Sequence, residues 1–175
     1  MSRAGAWWPV AGAAVVFATM GLEAWLATRN EGVLRTWGAR EVPDASYPWM
    51  RVSYPVGFVA MAVEGWWRGG GTHRWLVVGL LVFATGKAIK YAAIAVLGPR
   101  WSFRVLTVPG RPLVADGIYR WLRHPNYVGV AAEIVGVALW MPAPITGTLF
   151  AVTFGVILLC RIRIEERALG LARSR

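Results

Sequence analysis

Residues 111–127 read RPLVADGIYRWLRHPNY and concentrate Arg111, Arg120, Arg123 and His124 beside Tyr119 and Tyr127. Cationic side chains of this kind hold carboxylates through charge-assisted hydrogen bonds, and tyrosines add an apolar wall with a polar tip. Asp116-Gly117 is a turn pair. Tyr119, Trp121 and Leu122 place apolar surface beside Arg120 and Arg123. Pro125 disfavours helical geometry at His124, so the imidazole is expected at a helix boundary, with a new helix beginning after it. A second charged run, RIRIEER at 161–167, follows the last apolar stretch. If a helix continues through it, Arg161 and Glu165 lie one turn apart on one face, pointing back at the first run. By composition alone, a positively charged loop with snorkelling aromatics accounts for residues 111–127 equally well.

The surrounding elements read as membrane helices. The 175 residues are 57% hydrophobic, include 11 Trp and have a mean hydropathy of +0.47, too apolar for a soluble domain. This length fits a single domain, 1–175. The net charge of +10 falls in short links between apolar runs rather than along a polar face. That pattern argues against a nucleic-acid partner and for a lipid bilayer with anionic headgroups. One cysteine, Cys160, excludes an intrachain disulfide and is assigned to packing near a helix end. His73 and His124 stand far apart in sequence, so no metal site is expected, and His73 reads as a solvated loop residue. The chain has no GxGxxG, which excludes a soluble Rossmann-type enzyme.

The expected fold is an all-α integral membrane protein of about five transmembrane helices. The N-terminal spans are 7–28, 52–67 and 75–97. A polar segment, 98–127, follows, then a helical hairpin over 128–160 that turns at Met141-Pro-Ala-Pro144, and the charged 161–175 end. No small-residue cleavage site follows a short apolar core, so the first helix is expected to be retained. Glu23, near its end, either reaches the interface or belongs to a polar pocket. Residues 29–51 read as a polar loop interrupted by Pro43 and Pro48, a candidate cover for a substrate opening but without a motif. Lys87 and Lys90 share a helix face. Lys90 is near enough to the interface to snorkel, whereas Lys87 is deeper and has Glu133 on the next helix as its natural partner. Lys87 and Glu133 are either an interhelical ion pair or part of a substrate pocket, with Glu133 as a candidate base. With the N-terminus outside, fourteen arginines fall on the cytoplasmic side and only Arg3, Arg68 and Arg74 outside. Both charged runs then share the cytoplasmic face.

The run LVADGIYRWLRHPNYVG, followed after a helical hairpin by RIRIEERAL, resembles the isoprenylcysteine carboxyl methyltransferase family of integral-membrane enzymes over about residues 87–169. The longer run from KAIKYAA to VGVAAE resembles a short bacterial subgroup that O-methylates alkylpyrones and alkylresorcinols made by type III polyketide synthases. The resemblance implies S-adenosylmethionine as cofactor. Its family-derived contacts fall on Arg111, Pro112, Leu113, Val114, Tyr119, His124, Pro125, Asn126 and Tyr127, with Glu165 closing over it and Arg161 beside the acceptor. That cofactor's carboxylate calls for a cation, its ribose and amine for an acid, and its adenine and sulfonium for aromatic or apolar walls. Methyl transfer is an in-line displacement needing alignment, desolvation and deprotonation of the acceptor.

Two departures favour the polyketide subgroup over a prenylcysteine carboxylate. Arg111 stands where the family has His, and the chain stops at Arg175 without the family's C-terminal extension. The expected partners are the bilayer, a lipophilic small molecule entering laterally from it, and a polyketide synthase as supplier. A phenolic acceptor would need a base, which Glu133 or His124 could supply. Two other readings stay open: an NADPH-dependent membrane reductase of sterol-reductase type, and a non-catalytic membrane subunit.

Overall fold

Without a breaker before Thr36, the first helix runs further than residue 28. In the computed structural model, which describes residues 7–69 and 74–171, α1 spans Trp7–Thr36. The segment after residue 28 is amphipathic rather than loop: Asn30 and Leu34 turn inward and are buried. Gly38 then ends the helix at φ 74°, with its N–H donating to the Arg35 carbonyl at 3.0 Å and the Ala39 N–H to Leu34 at 3.0 Å. A left-handed residue after the last turn is the usual glycine stop. Of the expected 29–51 loop only 37–46 remains non-helical, because α2 spans Tyr47–Trp67. It begins early because Pro48 falls in the first turn, where a missing N–H costs nothing.

α3 spans Leu76–Leu97, close to expectation, and passes into a short 3-10 turn at Gly98–Arg100. α4 spans Pro125–Trp140 and α5 Pro144–Ala168, the expected hairpin. Because α5 continues through 161–167, the second charged run is helical. Cys160 is therefore an exposed residue inside α5, not a packed one near a helix end. His73 and the last arginines, Arg173 and Arg175, lie outside the described residues.

One strand pair qualifies the all-α expectation. β1, Arg40–Glu41, pairs antiparallel with β2, Leu106–Thr107, in the register Arg40↔Thr107 and Glu41↔Leu106. Two residues are too short to show alternation in sequence. The ladder ties the 37–46 link to the polar segment after α3, and the Val42 N–H extends it by donating to the Val105 carbonyl at 2.9 Å.

Among the described residues α1, α3 with its extension (Leu76–Arg100) and α5 are long and apolar enough to cross a membrane. α4, with 16 residues, reaches only about 24 Å at the helical rise, short of a hydrocarbon core of about 30 Å. The helices meet around a core of Phe58, Met61, Ile134, Val137 and Phe154. Their outer faces expose Val77, Leu81, Leu149, Val152 and Leu159, as lipid-facing surface does.

α3 and α4 pack backbone to backbone. Glycines seven residues apart make this possible, Gly79 and Gly86 on α3 against Gly129 and Gly136 on α4. A Cβ at Gly136 would lie 2.5 Å from the Phe83 nitrogen, and one at Gly86 2.8 Å from the Gly129 carbonyl oxygen. Such small-residue seams let membrane helices approach closely where no hydrophobic force separates helix from lipid. Gly136→Val is therefore expected to destabilise by about 1–3 kcal/mol through overpacking. Gly155→Val should be nearly silent, because a Cβ at Gly155 meets nothing within 4 Å. Thermal unfolding in detergent compares the two, and equal melting points would refute the close-packed seam.

Candidate functional site

Local chemistry shapes the polar segment between α3 and α4. Gly117 takes φ 57°, and a Cβ there would meet Val96 at 2.6 Å, so the turn at Asp116-Gly117 is folded tightly onto α3. A 3-10 turn, Gly117–Arg120, follows and carries Tyr119 inward. His124 sits outside the helix at φ −131°, with Pro125 at the first helical position. Asn126 and Tyr127 thus project from the first turn of α4, and the Asn126 Oδ1 accepts a hydrogen bond from the Trp101 indole at 3.2 Å.

These pieces enclose a cavity of about 500 Å³, within the range of small-molecule sites. Arg111, Pro112, Leu113, Val114, Tyr119, His124, Asn126, Tyr127, Arg161 and Glu165 all line it. Pro125 does not; it is buried under the site and positions the residues on either side. The two charged runs close on each other. The Tyr127 hydroxyl donates to Glu165 Oε2 at 2.5 Å, and His124 Nε2 lies 3.2 Å from Glu166 Oε1. Arg123 approaches the same Glu166 at 3.7 Å. Arg111 stacks its guanidinium on the Trp37 ring at 4.1 Å, and Arg100 donates to the Pro112 carbonyl at 2.8 Å. Burial pushes the Tyr119 phenol well above its ordinary range, and the Glu165 charge adds to this. Tyr119 therefore remains a neutral donor at physiological pH.

Arg161 is the wall between this cavity and a second one. It is 5% exposed and its three nitrogens are all engaged. Nε donates to the Tyr127 hydroxyl at 3.3 Å, Nη2 to the Phe103 carbonyl at 2.5 Å, and Nη1 pairs with the Asp44 carboxylate. The second cavity, of about 520 Å³, is lined by Glu41, Asp44, Tyr47, Pro48, Arg51, Val52, Arg104 and Arg161, among others. Its mouth lies at the first turns of α2, where Pro48, Arg51 and Val52 are exposed.

Lys87 and Glu133 line neither cavity. They belong to an ion quartet between the helices. Lys87 Nζ is 2.7 Å from Glu23 and 3.0 Å from Glu133, and Lys90 Nζ is 2.6 Å from Glu23 and 3.3 Å from Glu133. The Tyr54 hydroxyl of α2 donates to Glu133 at 2.8 Å. This places the pair on the side of interhelical packing rather than substrate contact. It also decides between the two readings of Glu23, which is 2% exposed and in a buried polar cluster rather than at the interface, and corrects that of Lys90, which is 3% exposed and does not snorkel. The longer α1 puts Glu23 in mid-helix facing α3, where two positive and two negative charges compensate one another away from water.

Several participants carried no recognisable signal in the sequence, among them Tyr54, Arg104 and above all Asp44. One local sign was available for Asp44. Asp followed two residues later by Ser, after Pro43, is an Asx-turn pattern, and Ser46 donates both its N–H, at 2.8 Å, and its hydroxyl, at 2.5 Å, to Asp44 Oδ1.

The family described as isoprenylcysteine carboxyl methyltransferase matches residues 77–171. A Bacillus subtilis protein described only as uncharacterized protein YpbQ is 31% identical over 156 residues, covering 89% of this chain and 93% of its own length. The human protein-S-isoprenylcysteine O-methyltransferase is 34% identical over 100 residues, covering 55% of this chain and 34% of its own. The corresponding Arabidopsis thaliana enzyme A is 31% identical over 97 residues, covering 54% of this chain and 49% of its own. The chain thus spans about half or less of the length of the named methyltransferases it matches. No solved structure matches it.

Proposed function

The chain belongs to the isoprenylcysteine carboxyl methyltransferase family, and from that premise we propose that it is an S-adenosylmethionine-dependent O-methyltransferase acting on a lipophilic acceptor. Its general class, a membrane methyltransferase, follows from the family and from three helices able to cross a bilayer. The observation that carries the finer reading is the Tyr127–Glu165 hydrogen bond, which joins the RHPNY run to the EER run across one cavity.

The donor set fits S-adenosylmethionine. Arg111 and Arg123 supply cationic groups for the carboxylate, His124 a ring nitrogen beside them, and Glu165 an acceptor for the amine or ribose hydroxyls. Pro112, Leu113, Val114 and Tyr119 supply apolar walls for the adenine, with Asn126 and Tyr127 as polar contacts. When bound, this group supplies a methyl carbon activated by a positively charged sulfur. The chain's own work is to exclude water, to hold Glu165 through Tyr127, and to present the acceptor oxygen at Arg161 from the second cavity.

The acceptor class we favour is an alkylpyrone or alkylresorcinol, with a polyketide synthase as its source, over a prenylcysteine carboxylate. The second cavity opens at the start of α2, which suits lateral entrance from the lipid. The arginine distribution supports an orientation with the N-terminus outside and the site cytoplasmic, where a soluble cofactor is available.

S-adenosylhomocysteine is expected to raise the melting temperature of the purified protein, by an amount equivalent to about 2.7 kcal/mol at a hundredfold excess over its dissociation constant. NADPH is expected to leave it unchanged. A shift with NADPH alone would favour the reductase reading and overturn this one.

A further inference from the structure

The Asp44–Arg161 pair constrains what kind of acceptor oxygen the site can take. Three of the five guanidinium N–H groups of Arg161 go to Asp44, Phe103 and Tyr127. An acceptor carboxylate arriving from the second cavity would find this cation already neutralised. It would also meet the negative charge of Asp44, which lines that cavity; Glu41 on the same wall is already paired with Arg35 and Arg104, and Arg51 also lines the cavity. Displacing Asp44 is opposed locally, since the Ser46 N–H and hydroxyl hold its Oδ1 independently of Arg161. The Asp44 side chain is only 5% exposed, so bulk water does not compensate a second anion beside it.

An oxygen that still carries its proton has the opposite fit. It can accept from Arg161 and donate to Asp44, whose carboxylate oxygens retain lone pairs beyond their present partners. Resting on the methyltransferase reading above and on the hydroxyl acceptor it favours, we propose that Asp44 is the proton acceptor of the reaction. The acceptor's O–H proton passes to the Asp44 carboxylate as its oxygen forms a bond to the methyl carbon of the sulfonium donor. The carbon–sulfur bond breaks with its electron pair left on sulfur, which becomes a neutral thioether. The proton then leaves from Asp44 through the open second cavity. Arg161 stabilises the charge that develops on the acceptor oxygen. Asp44 lies outside the span that matches the family, residues 77–171.

The test uses the full chain in detergent with S-adenosylmethionine and two probes, a long-chain alkylresorcinol and a prenylcysteine carboxylate. Wild type is expected to methylate the alkylresorcinol. Asp44→Asn is expected to lower its kcat by about 10²–10⁴-fold near neutral pH, the usual contribution of a positioned base. S-adenosylhomocysteine affinity should stay near wild type. The deficit should shrink as pH rises toward the phenol's own pKa, because an acceptor ionised by solvent needs no Asp44. Should Asp44→Asn fold poorly, Ser46→Ala, which removes only the hydroxyl anchoring Asp44, is expected to lower kcat by about 2–10-fold with the same pH signature. A deficit independent of pH would mean that Asp44 merely props Arg161, and overturns the proposal. So would a wild-type enzyme that methylates the carboxylate alone, although the methyltransferase reading would then stand. Failure of both transfer and S-adenosylhomocysteine binding would bring down that reading with it.

Discussion

Arg161→Ala is expected to cut methyl transfer by on the order of 10²–10³-fold, as removal of a donor aimed at developing charge does, while S-adenosylhomocysteine still binds. The side chain touches the second cavity through Asp44 and the first through Tyr127, so its loss falls mainly on the acceptor side. Arg161→Lys should rescue little. Its three contacts leave a planar fork in three directions, toward Asp44, Phe103 and Tyr127, and a point charge cannot reproduce them. Glu165→Gln is the contrasting variant. It replaces the acceptor of the Tyr127 hydroxyl and the one carboxylate of this segment lining the first cavity. Loss of a charge-assisted hydrogen bond should weaken S-adenosylhomocysteine by about 1.5–3 kcal/mol, roughly 10–150-fold. Calorimetric titration with the product and turnover on a long-chain alkylresorcinol separate the two roles. If Arg161→Ala loses cofactor affinity as severely as Glu165→Gln, that division is wrong.

The second large effect is expected at a residue that lines neither cavity. Glu133→Ala leaves Lys87 and Lys90 sharing Glu23 alone, and removes the acceptor of the Tyr54 hydroxyl. Breaking a buried pair in this way typically costs about 3–5 kcal/mol, enough to unfold a marginally stable bundle. The double variant Glu133→Gln with Lys87→Met keeps the cluster neutral and should recover most of that loss. Melting temperatures in detergent, measured alongside turnover, decide the matter. A Glu133→Ala protein that melts like wild type yet fails on the alkylresorcinol would return Glu133 to acceptor chemistry.

Features that depend on neighbours a few residues away were legible in the sequence. Pro125 places His124 at a helix boundary and Gly117 makes its turn for steric reasons that need no other part of the chain. The spacing of Arg161 and Glu165 puts them one turn apart as soon as α5 continues past residue 160. The apolar runs at α3 and along the hairpin are long enough to be read directly. The start of α2 and the end of α1 were not. Polar residues at 29–36 look like loop until a partner buries Asn30 and Leu34, and Asn30 is held by the Gly98 and Trp101 carbonyls of the segment after α3.

The linear chain therefore determined the membrane class, the family-matching motif pair and the local geometry around His124. Apart from the Lys87–Glu133 contact, which the sequence anticipated, tertiary structure decided which charges meet. Glu23 is 64 residues from Lys87 and Asp44 is 117 from Arg161. A carboxylate in a sequence carries its charge but no distance, and several cations were equally available to each. The choice was made by the glycine seam that brings α3 against α4, by the inward face of a longer α1, and by a two-residue ladder that ties the Asp44 loop to the segment after α3. A buried charge is stable only where opposite charge or a hydrogen-bond donor is within reach, so helix packing turned isolated acids and bases into a structural quartet in one place and a candidate proton-accepting pair in the other.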